Sequence, residues 1–258
     1  RLSEWLDTRD IQTNAFWDET DDQRLRPDYW RFWKILPPRG TLGIMFGSWY
    51  TRPIVGRVFG DLDEGDFEQR LGRIVEFERM LVQDGALIVK LWFHLPKKVS
   101  EKRVRQDKKI LEMKIKKSPL MQKFGKQYDE FAAVSERAIR ITDKGSSPWH
   151  LIEATDKHYR DITVGQILLN AMEKRLGQSQ GNAEEDNDFE ITHFTDRIQA
   201  NKITILDHVD LDKTLTQAKY NKELKHYQAK LFDVPSFLLT VHFDKSRIIL
   251  STPRTNRL

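Results

Sequence analysis

Residues 66–95 read DFEQRLGRIVEFERMLVQDGALIVKLWFHL, and this stretch decides the fold class. Apolar side chains at 67, 71, 74, 75, 77, 81 and 82 recur at the spacing of one helical face, which predicts an amphipathic helix from Asp66 to Gln83. Gly85 is placed to end it, because glycine adopts the left-handed backbone beyond a helix without steric cost. Ala86 to Leu95 is then a β-branched and aromatic run closed by Pro96, the pattern of a strand buried on both faces. A helix that leads directly into such a strand points to a parallel sheet flanked by helices.

The same grammar extends in both directions. Upstream, Thr41 to Phe46 is an apolar run of strand length, and Tyr29 to Leu36 reads as an aromatic-rich helix stopped by Pro37, Pro38, Arg39 and Gly40. Asp18 to Asp22 is a polar opening, and residues 3–6 read as the end of a helix that Asp7, Thr8 and Arg9 leave. Downstream, Lys97 to Lys117 is helix-compatible with a break at Ser118-Pro119, and a further helix is expected from Phe124 to Ile141. Gly145 to Trp149 is a turn, His150 to Ala154 a short strand, and Thr163 to Leu176 an amphipathic helix. The alternation predicts an α/β protein with a parallel sheet. After Leu176 the texture changes. Gly177 to Asp188 is acidic and poor in apolar residues, so 177–202 is expected to be a linker. Leu215, Tyr220, Leu224, Tyr227 and Leu231 then form the stripe of a second amphipathic helix, and the tail closes with Arg247-Ile-Ile-Leu and a polar end.

Composition narrows the function classes. The chain has 258 residues, 39% hydrophobic and 32% charged, enough apolar content for a sizeable core. It has no cysteine, which excludes a disulfide scaffold, thiolate metal sites and a cysteine nucleophile. No apolar run approaches the ~20 residues needed to cross a bilayer, and no apolar segment opens the chain, so a cytoplasmic protein without membrane contact is expected. Residue 1 is Arg rather than Met, so the natural start is expected to lie upstream. The net charge of +4 is unevenly spread: between Lys97 and Lys126 stand twelve Lys/Arg and three acids, a net of +9, which leaves the rest near −5. One basic element on a mildly acidic body suits a local polyanion contact. Nucleic acid is the weaker partner reading, because no recognition-helix pattern or aromatic-interleaved motif accompanies the charge.

The chemistry is expected just beyond the first apolar strand, at Ser48-Trp49-Tyr50-Thr51-Arg52. In parallel α/β sheets ligands bind outside the carboxyl ends of the strands. There Ser48 and Tyr50 could donate to phosphate oxygens, Arg52 could do so as a fork, and Arg57 could join from further along the segment. The bland alternative is a turn whose Trp49 packs on the core. Glu76 and Glu78 are read as helix-surface charges, since i and i+2 do not share a helical face. His94 is read as a core histidine, and His150 and His158 lack partners at metal spacing.

These residues resemble the polyphosphate kinases of the second type. That family's second phosphate motif reads Asp-Arg-Ser-Trp-Tyr-Asn-Arg and is followed by Arg-Val-Met-Gly; here the run is Phe46-Gly47-Ser48-Trp49-Tyr50-Thr51-Arg52, then Arg57-Val58-Phe59-Gly60. Trp30-Arg31-Phe32, Glu76 to Gly85, Lys90-Leu-Trp92-Phe-His94 and Pro148-Trp149…Glu153-Ala154-Thr-Asp156-Lys157 look like the same family in the same order. The resemblance implies a three-layer P-loop kinase-like fold with a parallel sheet and a helical lid, plus a C-terminal helical extension. It implies phosphate transfer between inorganic polyphosphate and a nucleotide with Mg²⁺. It also implies a phosphate site at Arg31, Ser48, Tyr50, Arg52 and Arg57. The basic stretch falls where the family's lid lies, so Lys102, Arg103, Arg105, Lys108, Lys114, Lys116 and Lys117 are expected to grip a phosphate chain.

Two departures carry chemical weight. No G-x-x-x-x-G-K-[ST] occurs in the 258 residues, so no Gly-rich cradle for the transferred phosphate is identifiable. The motif's acid is Phe46 and its first arginine is Gly47, and phenylalanine offers no oxygen to Mg²⁺. Both departures are similar to the first half of the fused, two-domain polyphosphate:AMP phosphotransferases. Tyr159-Arg160-Asp-Ile-Thr163-Val164-Gly165 looks like that half, and Ile205 to Thr214 is similar to the leader of the active second half. The expectation is therefore a fragment: a degenerate kinase-like domain over 1–176, an acidic linker over 177–202, and over 203–258 the leader helix and tail of a truncated second domain. The parent reaction would be polyphosphate plus AMP to ADP, with this chain inactive alone and no metal site or catalytic residue identifiable in it. Its expected partners are inorganic polyphosphate, AMP/ADP, its own second kinase domain and further copies in a homo-oligomer. A non-catalytic polyphosphate-binding or scaffolding module is the alternative.

Overall fold

A computed structural model describes residues 10–16, 19–102, 127–180, 205–206, 209–240 and 247–252. Their elements, in order, are β1 (Ile11–Ala15), α1 (Asp21–Arg24), α2 (Trp30–Trp33), β2 (Leu42–Phe46), α3 (Thr51–Phe59), α4 (Glu64–Gln83), β3 (Ala86–His94), α5 (Tyr128–Thr142), β4 (Trp149–Glu153), α6 (Lys157–Gln180), α7 (Gln217–Thr240) and β5 (Arg247–Thr252). The sheet has five strands in the order β1-β2-β5-β3-β4, every neighbouring pair parallel.

The helix-to-strand unit reads as expected. Asp63 caps α4 by accepting from Asp66 N at 2.7 Å, with Glu64 and Asp66 favourably placed in the first turn. Gly85 follows the helix at φ 90°, the left-handed turn foreseen for it. In β3 successive side chains divide between two cores. Ala86, Ile88 and Trp92 join α3, α4 and α5 in one; Val89 and Leu91 join α6 and α7 in the other. The sheet is thus the middle of three layers, as the resemblance implies.

The differences have local causes. The aromatic helix is shorter than expected, Trp30–Trp33, because Ile35 and Leu36 approach two prolines, where the helical region is disfavoured. The helix expected from Thr163 begins earlier, at Lys157, after Asp156 accepts from Tyr159 N at 2.6 Å. Of the second stripe, Tyr220, Leu224, Tyr227 and Leu231 pack inward from α7, whereas Leu215 precedes the helix. Segment 203–258 supplies both α7, against α6, and β5, in the middle of the sheet. The residue 3–6 helix end, most of the 177–202 linker and the basic stretch beyond Lys102 lie outside the described residues. Among the described residues, no helix is long and apolar enough to cross a membrane.

His150, on β4, has its imidazole held below the ordinary value of 6.5 by burial, with Asp143 partly opposing. The unfolded chain therefore takes up a proton near pH 6.5 and the folded chain only at lower pH, so stability falls as pH drops through the window below 6.5. Urea midpoints at pH 7 and 5.5 should differ less for His150→Asn than for the wild-type chain. An unchanged difference would remove His150 as the cause.

Candidate functional site

β2 ends at Phe46, and the chain turns sharply into α3. Gly47 sits at φ 74°, a backbone region that a side chain rarely adopts. Thr51 N donates to Ser48 O at 3.0 Å, closing the turn. This places Ser48 and Arg52 at the carboxyl end of β2, the end at which open parallel sheets bind ligands.

A cavity of about 530 Å³ opens there. Its wall carries five arginines, Arg24, Arg31, Arg52, Arg70 and Arg73, against three acids, Glu19, Asp28 and Asp61. Ser48 is buried in that wall, and its Oγ has no hydrogen-bond partner among the described residues. Tyr29 lines it too, with its hydroxyl pushed up to about 12 by burial and by Asp28, against the pull of Arg73 and Arg70. It remains a neutral donor at physiological pH. The Arg31 guanidinium lies over the rings of Phe16 and Phe32, at 5.0 and 5.7 Å.

Among the described residues, the ion pairs that Glu19 and Asp28 make in the cavity are loose. Glu19 reaches Arg31 at 3.6 Å and Arg52 at 3.3 Å, and Asp28 reaches Arg52 at 3.5 Å and Arg73 at 3.6 Å. All are longer than the ~2.7–2.9 Å of a charge-assisted hydrogen bond.

Of the residues expected at the phosphate site, the structure brings Arg31, Ser48 and Arg52 together in this wall. It does not bring Tyr50 there. Tyr50 is fully buried, and its hydroxyl donates to Glu78 at 2.8 Å, with burial and that carboxylate raising its pKa well above the usual phenol value. Arg57, in the last turn of α3, is not among the lining residues. Lys102 is exposed, while Arg103, Arg105, Lys108, Lys114, Lys116 and Lys117 lie outside the described residues.

Glu78 itself corrects the surface-charge reading: it is 1% exposed, whereas Glu76 is exposed and pairs with Arg79. One carboxylate oxygen of Glu78 accepts from Trp49 Nε1 at 3.0 Å and from Tyr50, and the other accepts from Lys90 Nζ at 2.9 Å and Ser147 Oγ at 3.0 Å. Lys90, fully buried, also donates to Thr142 O at 2.7 Å and Tyr50 Oη at 3.3 Å. The network therefore grips two consecutive residues of the turn that presents Ser48 and Arg52. Its signal was present in the sequence: 71, 74, 78 and 81 are one helical stripe, and Lys90 interrupts an apolar strand.

The arrangement can bind an anion with several oxygens. Mg²⁺ wants oxygen ligands, and of the three carboxylates in this wall two face arginines while Asp61 is in no ion pair among the described residues. Phe46, half exposed, stands where the family motif has its acid; Glu19 and Asp28 already face arginines; and no group of three or more His, Asp or Glu among the described residues is arranged to hold a metal.

Comparison with known proteins agrees with the fold. The Polyphosphate kinase 2 (PPK2) family matches residues 1–180. The chain is 38% identical over 232 residues to the polyphosphate:AMP phosphotransferase of Pseudomonas syringae and 36% identical over 230 residues to that of Pseudomonas aeruginosa. Each match takes in 89% of this chain and 45% of the relative, so the chain spans about half the length of these relatives. A crystal structure of polyphosphate kinase 2 from Arthrobacter aurescens superposes with a TM-score of 0.60 at 28% identity, over 70% of this chain and 63% of that one. A parallel three-layer sheet, a Ser-Trp-Tyr turn at its carboxyl edge and a family match over most of its length place this chain in the polyphosphate kinase 2 family.

Proposed function

We propose that the parent protein is a polyphosphate:AMP phosphotransferase, forming ADP from polyphosphate and AMP, and that this chain is a half that grips phosphate without transferring it. One observation carries the reading: the cavity keeps Arg31, Ser48 and Arg52 together, while Phe46 stands in place of the motif's acid. Phosphoryl transfer depends on positioning and charge neutralisation, and needs a phosphate cradle and a metal-holding carboxylate besides arginines. The cavity has the arginines, but its acids Glu19 and Asp28 are paired with them, and no Gly-rich phosphate loop occurs in the 258 residues. Mg²⁺ and the transfer step are assigned to the second kinase domain. The coverage of the two phosphotransferase relatives, each about twice the matched length, supports this division.

Two measurements test the reading. The purified chain, given polyphosphate, AMP and Mg²⁺, should form no ADP above background; turnover like that of an intact enzyme would overturn the inactive-half assignment. The same chain should bind inorganic tripolyphosphate with an affinity that falls as salt rises. Arg52→Ala should weaken that binding roughly tenfold, the effect of losing one charge-assisted contact of about 1.4 kcal/mol. Tripolyphosphate binding that ignores both salt and Arg52 would place the anion elsewhere.

A further inference from the structure

We propose that Glu19 is a displaceable counter-ion: it occupies the anion position between Arg31 and Arg52, and a phosphate ligand enters by evicting it. The inference rests on the reading of this cavity as a phosphate site and adds how that site selects its ligand.

Glu19 divides its carboxylate between the two arginines, one oxygen at 3.6 Å from Arg31 Nη1 and the other at 3.3 Å from Arg52 Nη1. The Glu19 side chain is 16% exposed and that of Arg31 13%, so their attraction is only partly screened by water. The distances nevertheless exceed those of seated charge-assisted bonds, so the carboxylate neutralises both guanidiniums without matching either. Ser48 Oγ, buried in the same wall, has no hydrogen-bond partner among the described residues.

A phosphoryl group suits this place better. Its several oxygens can meet both guanidiniums and accept from Ser48 together, and it carries more charge than a carboxylate. The mobility required falls on the acid. Arg31 is clasped by the Phe16 and Phe32 rings, and Arg52 belongs to the first turn of α3, whereas Glu19 stands in the loop between β1 and α1. Asp28, 3.5 Å from Arg52, keeps that arginine partly neutralised after Glu19 leaves. The resident carboxylate thus sets a threshold. Monoanions with two oxygens compete poorly against it, and multiply charged phosphate chains displace it.

The test is calorimetric titration of the full 258-residue chain with inorganic tripolyphosphate at one ionic strength, for wild type, Glu19→Gln and Asp61→Asn. Asp61 lines the same cavity and is in no ion pair among the described residues, so its variant removes the same charge without freeing an arginine. Glu19→Gln should bind about tenfold more tightly, the combined effect of releasing two partly exposed ion pairs. Asp61→Asn should gain about twofold at most, a screened field effect. Glu19→Asp, which keeps the charge but is one methylene short of spanning both arginines, should fall between wild type and Glu19→Gln, and keeps the test available if the glutamine variant folds poorly. Equal gains for Glu19→Gln and Asp61→Asn, or no gain for Glu19→Gln, would overturn the counter-ion role. Absence of tripolyphosphate binding in wild type and every variant would instead overturn the phosphate reading of the cavity, and this inference with it.

Discussion

Glu78→Ala is expected to destabilise the fold by about 3–5 kcal/mol, the cost of stripping one partner from a buried ion pair. Small domains have about 5–15 kcal/mol in total, so the variant should unfold at a much lower urea concentration. The size of the loss follows from what the carboxylate serves. Four donors end on it, from Trp49, Tyr50, Lys90 and Ser147. Removing it leaves an ammonium at 0% exposure facing the Tyr50 and Trp149 rings with, among the described residues, Thr142 O and Tyr50 Oη to accept from it. The Lys90 pKa, already lowered by burial and held up mainly by Glu78, should then drop further, so that the variant loses less stability at high pH, where that amine is neutral. Lys90→Met in the Glu78→Gln background should cost less than the two single changes added together, because no uncompensated charge remains. A loss below about 1 kcal/mol in Glu78→Ala would show that water or side-chain movement replaces the carboxylate, and would sink the claim that it holds the turn.

That network also marks how far the sequence could be read. The α4–β3 unit was legible because its apolar spacing is local: each position depends on the period of its own element, and the structure extends the helix only to Glu64. The turn at Ser48 and Arg52 was legible from its place beyond a strand and from the family motif. Tyr50 was misplaced because a residue type that can donate to phosphate can equally donate inward, and its partner lies 28 residues away. Glu19 went unnoticed for a similar reason: a lone acid in a loop acquires meaning only when two arginines from different helices converge on it. β1 was missed because IQTNA has little apolar content, which its edge position and partly exposed pattern explain. β5 was missed because three apolar residues before a polar tail fix no partner, and its place between β2 and β3 is set wholly by distant strands.

β5 therefore carries the second large prediction: removal of residues 241–258 should abolish cooperative folding. The strand is last in sequence and central in the sheet, pairing with β2 through Leu42 to Phe46 and with β3 through Ala86 to Lys90. Among the described strands no direct pairing joins β2 to β3, so without it the sheet parts into β1-β2 and β3-β4. Ile248, Ile249 and Leu250 are each at most 4% exposed, and Ile249 faces one core while its two neighbours face the other. At about 1.5–3 kcal/mol for each buried side chain, the three contribute about 5–9 kcal/mol, comparable to the whole stability of a domain. Ile249→Asp should have nearly the same effect from one position, since it buries an unpaired carboxylate between α4, α5 and the sheet. Both proteins should lose near-ultraviolet circular dichroism, bind the dye ANS and give broad, shallow urea transitions. A truncated chain that keeps a sharp transition near the wild-type midpoint would mean that β2 and β3 close on each other, and that the strand is an addition to the sheet rather than its keystone.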